Sequence, residues 1–252
     1  MSSTGMTWVS SLLCCVLLPS FAFPQAIANK QDVVRKAAQA YYNLPKEGFV
    51  SFRCTLAPNY DAVEPALRQS HPAAADARLQ TLSQFQVAVA VGSDGQATVS
   101  HNEVTAPHLQ DVVSNLELMM TSFFQLWSPY VVASPFPAAD SDYQLEDLGS
   151  QYRLSYQEGL ASVAMTLDKD ATVGAVMVTR PEVNSVTWPQ FTKTPKGFVP
   201  VSFDNDVRIP AQGGAAHVRT VITYQEVAGL QLPKTIKNTV RPAARPMKRK
   251  SP

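Results

Sequence analysis

Short apolar runs, separated by turn residues, fill the last hundred residues of the chain. Tyr152–Tyr156, Ala161–Leu167, Thr172–Arg180, Ser185–Phe191, Phe198–Phe203, Val218–Val227 and Leu232–Val240 each have the length and the Val, Ile, Thr and aromatic content of a strand. Gln157-Glu158-Gly159, Asp168-Lys169-Asp170, Pro181-Glu182, Pro195-Lys196-Gly197, Gln212-Gly213-Gly214 and Gly229 punctuate them. Consecutive strands with such short breaks predict a large up-and-down antiparallel sheet.

The first half mixes helix and strand signals. Val34, Ala37, Ala38 and Tyr41 recur at i, i+3, i+4 and i+7, which predicts an amphipathic helix over Gln31–Tyr42, ended by Pro45 and Gly48. Phe49–Leu56 alternates, with Val50, Phe52, Cys54 and Leu56 on one face. That places Cys54 beside large hydrophobes and reads it as a structural thiol; a nucleophile needs partial exposure and a base. Pro58–Ala77 reads as loop with a short helix. Phe85, Val87, Val89 and Val91 alternate before Gly92-Ser93-Asp94-Gly95, and Ala97 and Val99 after it, a hairpin signal carried by Asp-Gly.

Leu109–Trp127 reads as a long helix closed by Ser128-Pro129. Leu109, Val112, Val113, Leu116, Met120, Phe123 and Trp127 form one stripe, and Leu118, Met119, Phe124 and Leu126 make its second half apolar nearly all round. Such a helix must be covered on more than one side. Two readings follow: a central core helix, or a helix lining a cavity where Met and aromatic side chains meet a greasy ligand. On the second, Met119, Met120, Phe123, Phe124 and Trp127 on the helix, with Trp188 and Phe191 on the sheet, are the candidate lining. Tyr130–Asp140, rich in Pro, reads as an ordered apolar loop over the same opening.

Compartment enters through the N-terminus. Trp8–Leu18 is an apolar run followed by Pro19, Ser20 and Ala22, the pattern of a signal peptide and too short to span a bilayer. Residues 1–28 are therefore expected to be a leader cut after Ala22 or Ala28, leaving one domain over 29–240 in a periplasmic or secreted protein. Residues 1–7 carry no Lys or Arg, which is atypical. Lipid anchoring at Cys14 or Cys15 is disfavoured because both lie inside the apolar run and Leu13 is not small. With the leader removed, Cys54 is the remaining cysteine and the fold must hold without an internal disulfide.

Charge then narrows the partners. The formal net charge is +1, but Arg241, Arg245, Lys248, Arg249 and Lys250 concentrate cations at the end of the chain, leaving 16 basic against 20 acidic residues before them. A nucleic-acid binder carries its basic excess on a folded face, so nucleic acid is not an expected partner. Residues 241–252 read as a basic, Pro-rich disordered tail, with contact to an anionic membrane surface as an alternative role.

Catalytic and cofactor chemistry is not advertised. His71, His101, His108 and His217 form no i, i+4 pair, and there is no nucleophile elbow, phosphate loop or dinucleotide fingerprint. Asp168/Asp170 and Asp204/Asp206 sit at expected strand ends and read as turn residues; Asp140/Asp142 and Glu146-Asp147 read as solvated loop. Neither a catalytic residue, a metal ligand nor a cofactor is expected.

The leader, the helix Gln31–Tyr42, the strand Phe49–Leu56 and above all the C-terminal end carry a family likeness. There Val218-Arg219-Thr220-Val221-Ile222-Thr223-Tyr224 runs through Gly229 into Leu230-Gln231-Leu232-Pro233-Lys234-Thr235-Ile236, a strand, a Tyr, a Gly and a Leu-Pro step into the last strand. The chain in this respect resembles the periplasmic lipoprotein-localisation (LolA-like) superfamily, over Gln31–Leu56 and Tyr152–Val240; the middle, Asn59–Asp147, departs from the pattern. The resemblance implies an α+β fold: a strongly curved antiparallel sheet, an incomplete β-barrel, with helices covering the concave side. It also implies a non-enzymatic carrier of a lipid, lipoprotein acyl chains or another hydrophobic ligand. The alternative expectation is a cell-envelope sensor or scaffold acting through protein contacts.

Overall fold

The computed structural model describes residues 29–59, 61, 64–70, 72–103, 109–138, 140–210 and 214–242. The expected leader lies outside these residues, as do positions 243–252 of the expected tail. Arg241 and Pro242 belong instead to the last strand, because their backbone continues its ladder opposite His217 and Ala216.

Two antiparallel sheets, four α-helices and two short 3-10 turns make up the described fold. Helix α1 (Lys30–Gln39) is capped by Asn29, whose side chain accepts the Asp32 N–H. It stops short of Tyr41 and Tyr42, which the periodicity had included. The chain then forms β1 (Phe52–Leu56), α2 (Glu64–Ser70), α3 (Ala75–Ser83), β2 (Val87–Val91) and β3 (Ala97–His101). Pro58–Ala77 thus holds a whole helix and the start of another: Arg68 on α2 bridges Glu64 at 2.7 Å and Asp76 on α3 at 2.9 Å. Val50 is 72% exposed and precedes β1, so the buried face begins only at Phe52. β1, β2 and β3 form the small sheet in that order, with the expected Asp94-Gly95 hairpin between β2 and β3. Gly95 takes φ +78, and a Cβ there would lie 2.0 Å from the Ser128 hydroxyl oxygen, so the turn seats directly on the long helix.

That helix, α4, spans Gln110–Val131 and runs through Pro129 instead of ending before it. Proline costs a helix one N–H and crowds the preceding turn, but near the C-terminus the loss is local. The Val132 and Ala133 N–H groups both close on the Ser128 carbonyl, at 2.8 and 3.1 Å. Tyr130 and Val131 are consequently the last turn of the helix, not the start of a loop.

The large sheet is an eight-stranded meander: β4 (Tyr143–Asp147), β5 (Gln151–Glu158), β6 (Ala161–Asp168), β7 (Val173–Thr179), β8 (Asn184–Thr194), β9 (Gly197–Ile209), β10 (Gly214–Val227) and β11 (Leu230–Pro242). Each pairs antiparallel with its sequence neighbour, and β4 and β11 remain open edges, so the sheet is not closed into a barrel. All seven expected strands are present, several of them longer than their apolar runs. Glu146 and Asp147, expected in solvated loop, lie in an eighth strand, β4, whose inward Tyr143 is 3% exposed. Asp204 and Asp206 are mid-strand in β9, not at its end. They point outward opposite Arg219 and His217 of β10, and an Arg charge across from Asp204 and an imidazole hydrogen-bonded to Asp206 let the strand continue through carboxylates.

A parallel bridge ties α1 to the sheet. The Phe198 N–H donates to the Ala40 carbonyl at 2.8 Å and the Tyr42 N–H to the Phe198 carbonyl at 3.0 Å. Gly197 makes this approach feasible. It takes φ +120, and a Cβ there would lie 2.7 Å from backbone atoms of Tyr41 and Tyr42.

Candidate functional site

The C-terminal half of α4 is held between the two sheets. Phe52 of β1 meets the rings of Phe124 and Trp127 at 6.2 and 6.5 Å. The Trp127 indole N–H donates to the Tyr224 hydroxyl of β10 at 3.0 Å, and that hydroxyl donates to the Pro200 carbonyl at 2.6 Å. Burial raises the Tyr224 pKa, opposed by the indole hydrogen bond. Tyr130 packs on Tyr41, Phe191 and Phe203 with ring centroids 6.1, 5.4 and 5.7 Å apart. The Tyr41 hydroxyl accepts the Val173 N–H at 2.8 Å. This side of the helix is an aromatic core, closed except where Tyr130 also borders the cleft.

The other side opens on a cleft of about 1610 Å³. Leu118, Met119, Ser122, Gln125, Leu126 and Pro129 form its helical wall, one stripe at helical spacing. The β2–β3 turn and residues 133–138 continue the wall. Opposite stands a face of the large sheet: Tyr156 on β5, Val163 and Met165 on β6, Val176 and Val178 on β7, then Thr187, Asn205, Val207, Val218, Thr220, Asn238 and Val240 on β8–β11. Burial pushes the Tyr156 hydroxyl up to about 12, with the Glu158 carboxylate adding to the effect.

Of the seven residues expected to line a cavity, Met119 and Phe123 do so. Met119 is 37% exposed while Phe123 is 3% exposed and also stacks on Trp127. Met120, Phe124 and Trp127 are buried and outside the lining, Phe124 and Trp127 packed toward β1. Phe191 is half-buried in the aromatic core, 5.1 Å from Tyr41. Trp188 is 41% exposed and lies on the face of β8 opposite to Thr187, because successive strand side chains alternate. The structure therefore does not bring Trp188 and Phe191 together. The lining residues that sequence reasoning passed over on β8–β11 are all Ser, Thr, Asn and Val. Their signal was the inward half of each alternation in β8–β11, which apolar content alone does not reveal.

Titratable chemistry is sparse and dispersed. Among the described residues, no group of three or more His, Cys, Asp or Glu is placed to hold a metal ion. His217 pairs with Asp206 at 2.7 Å on the outer sheet face, and His101 with Glu117 at 3.2 Å. Burial pushes the Cys54 thiol up, which disfavours the reactive thiolate. No helix among the described residues is long and apolar enough to cross a membrane. What the arrangement offers is an elongated surface for binding, with hydroxyl and amide groups set into an apolar wall. No family model, curated protein or solved structure matches this chain.

Proposed function

We propose that this chain is a periplasmic or secreted, non-enzymatic binding protein that holds a hydrophobic ligand, a lipid or the acyl chains of a lipoprotein, in the cleft between α4 and the large sheet. One observation carries the reading: a space of about 1610 Å³ bordered by the Leu118–Met119 side of α4 and by Val, Met and Tyr side chains of β5–β11. A buried methylene stabilises a complex by about 0.8 kcal/mol, so an acyl chain needs only a dry groove of matching length and no reacting group. On this reading the open sheet is the half-barrel of a LolA-like fold, α4 covers its concave side, and the basic end of the chain meets anionic headgroups. Native mass spectrometry of the mature protein from its own envelope fraction, before and after organic extraction, tests it. A bound mass that extraction removes is expected; an apo mass that persists with added phospholipid and with added monoacylglycerol would refute the carrier.

A second reading, a scaffold that pairs through a sheet edge, draws on the open 13-residue strand β11. Lys234, Lys237 and Arg241 on that strand are the type of edge charge that discourages such pairing, which favours the carrier. For a scaffold that works through the basic tail instead of that edge, a chain ending at Pro242 separates the two: a carrier keeps ligand affinity, while the scaffold loses its partner in a pull-down.

A further inference from the structure

The floor of the cleft is not uniformly greasy. On β8 and β9, Thr187 stands directly opposite Asn205 and its hydroxyl donates to the Asn205 Oδ1 at 3.2 Å. On β10 and β11, Thr220 stands opposite Asn238 and donates to the Asn238 Oδ1 at 2.7 Å. Asn205 faces Val218, one step of the alternation from Thr220, so the two pairs are neighbours on the same sheet face and all four residues line the cleft. Thr187 and Thr220 are buried, at 6% and 5% exposure. Each threonine satisfies its asparagine's carbonyl oxygen and leaves the Nδ2–H group without a hydrogen-bond partner among the described residues. Amides that can each donate two hydrogen bonds, set among Val207, Val218 and Val240, form an uncharged donor site for a carbonyl oxygen.

The charged residues of the lining indicate which carbonyl. Among its described residues the cleft carries Asp94, Asp142 and Glu158 against Arg180 alone. A carboxylate or phosphate brought into it would meet net like charge and no cation on the floor, and desolvating an unpaired anion is costly. An ester or amide carbonyl has no charge to desolvate, and it accepts the Asn donors.

We infer that the cleft selects uncharged acyl esters or amides over free fatty acids, with acyl carbonyls accepting from Asn205 or from Asn238, two donor sites on one sheet face, and the chain along the wall formed by α4. This rests on the carrier reading above. The test uses the mature protein and displacement of N-phenyl-1-naphthylamine, an uncharged apolar dye. The competitors are a monoacylglycerol, an N-acyl glycinamide and the free fatty acid of one chain length. Preference of the ester or the amide over the acid by about tenfold is expected, and whichever leads names the source, a glyceride or an acylated polypeptide. In Asn205→Leu and in Asn238→Leu, each compared within its own dye titration, that ratio should fall toward unity. Equal displacement by acid and neutral ligands in the wild type overturns the inference without any variant having to fold, and a ratio unchanged in both folded variants overturns it too. Failure of the dye and of every acyl competitor to bind would bring down the carrier reading itself.

Discussion

Two sides of one helix divide this molecule. Along the first, Phe124 and Trp127 of α4 are 1% and 0% exposed, locked between Phe52 of the small sheet and Tyr224 of the large one. Along the second, Leu118 and Met119 are 64% and 37% exposed and border the cleft. The first side is aromatic, the second carries Leu, Met and a few polar residues, and both expose apolar groups to whatever stands opposite. What decides their roles is the partner: one side has ring contacts and hydrogen bonds that leave no space, the other faces a sheet surface it does not reach. An apolar side chain on α4 is thus core or lining according to its angular position, and the two roles give opposite responses to change.

Perturbations of the closed side should be felt most in stability. Tyr41, Tyr130 and Tyr224 there, and Tyr156 on the sheet across the cleft, all have pKa values raised by burial. In the unfolded chain they ionise near pH 10, so their contribution is fully present below that pH. It is lost as pH rises through the folded values, the first of them Tyr156 at about 12. A steep fall of the thermal midpoint above pH 10, read by circular dichroism, is the largest expected effect. Trp127→Ala should next cost about 3–5 kcal/mol in urea unfolding, since the indole is fully buried. Gly197→Ala should cost about 1–3 kcal/mol from its φ of +120 alone. Contact of the new Cβ with the Tyr41–Tyr42 backbone adds to this. Tyr224→Phe deletes a hydroxyl that both accepts from Trp127 and donates to Pro200, and should cost about 1–3 kcal/mol through the groups it leaves unpaired.

The open side should behave otherwise. Leu118→Ser and Met119→Ser are expected to shift unfolding by less than about 0.5 kcal/mol while weakening binding of an acyl probe. If either substitution destabilises the fold as much as Tyr224→Phe does, the contrast between the two sides disappears.

Much of this architecture was legible in the residues. Gly, Pro and Asp between short β-branched runs located seven strands of the large sheet, and Asp94-Gly95 located the hairpin, because turn geometry restricts which residues fit. Strand ends were less legible. β9 continues past Phe203 through Asp204 and Asp206, which read as turn residues until their cross-strand partners on β10 are known. Pro129 read as a stop, yet the final turn of α4 tolerates it since Ser128 closes the helix. The site was the least legible. Periodicity identified α4 as apolar nearly all round but not which side meets a second layer. Trp188 and Phe191 fall on opposite faces of β8, although both are large aromatics in one run.

The central claim is that burial of an acyl chain in the cleft drives binding, and a chain-length series measured by calorimetry on the mature protein tests it most directly. With one uncharged headgroup and successive CH₂ additions, affinity should rise about fourfold per methylene until the cleft is filled, with a negative heat-capacity change. Affinity that is absent, or independent of chain length, would contradict the account.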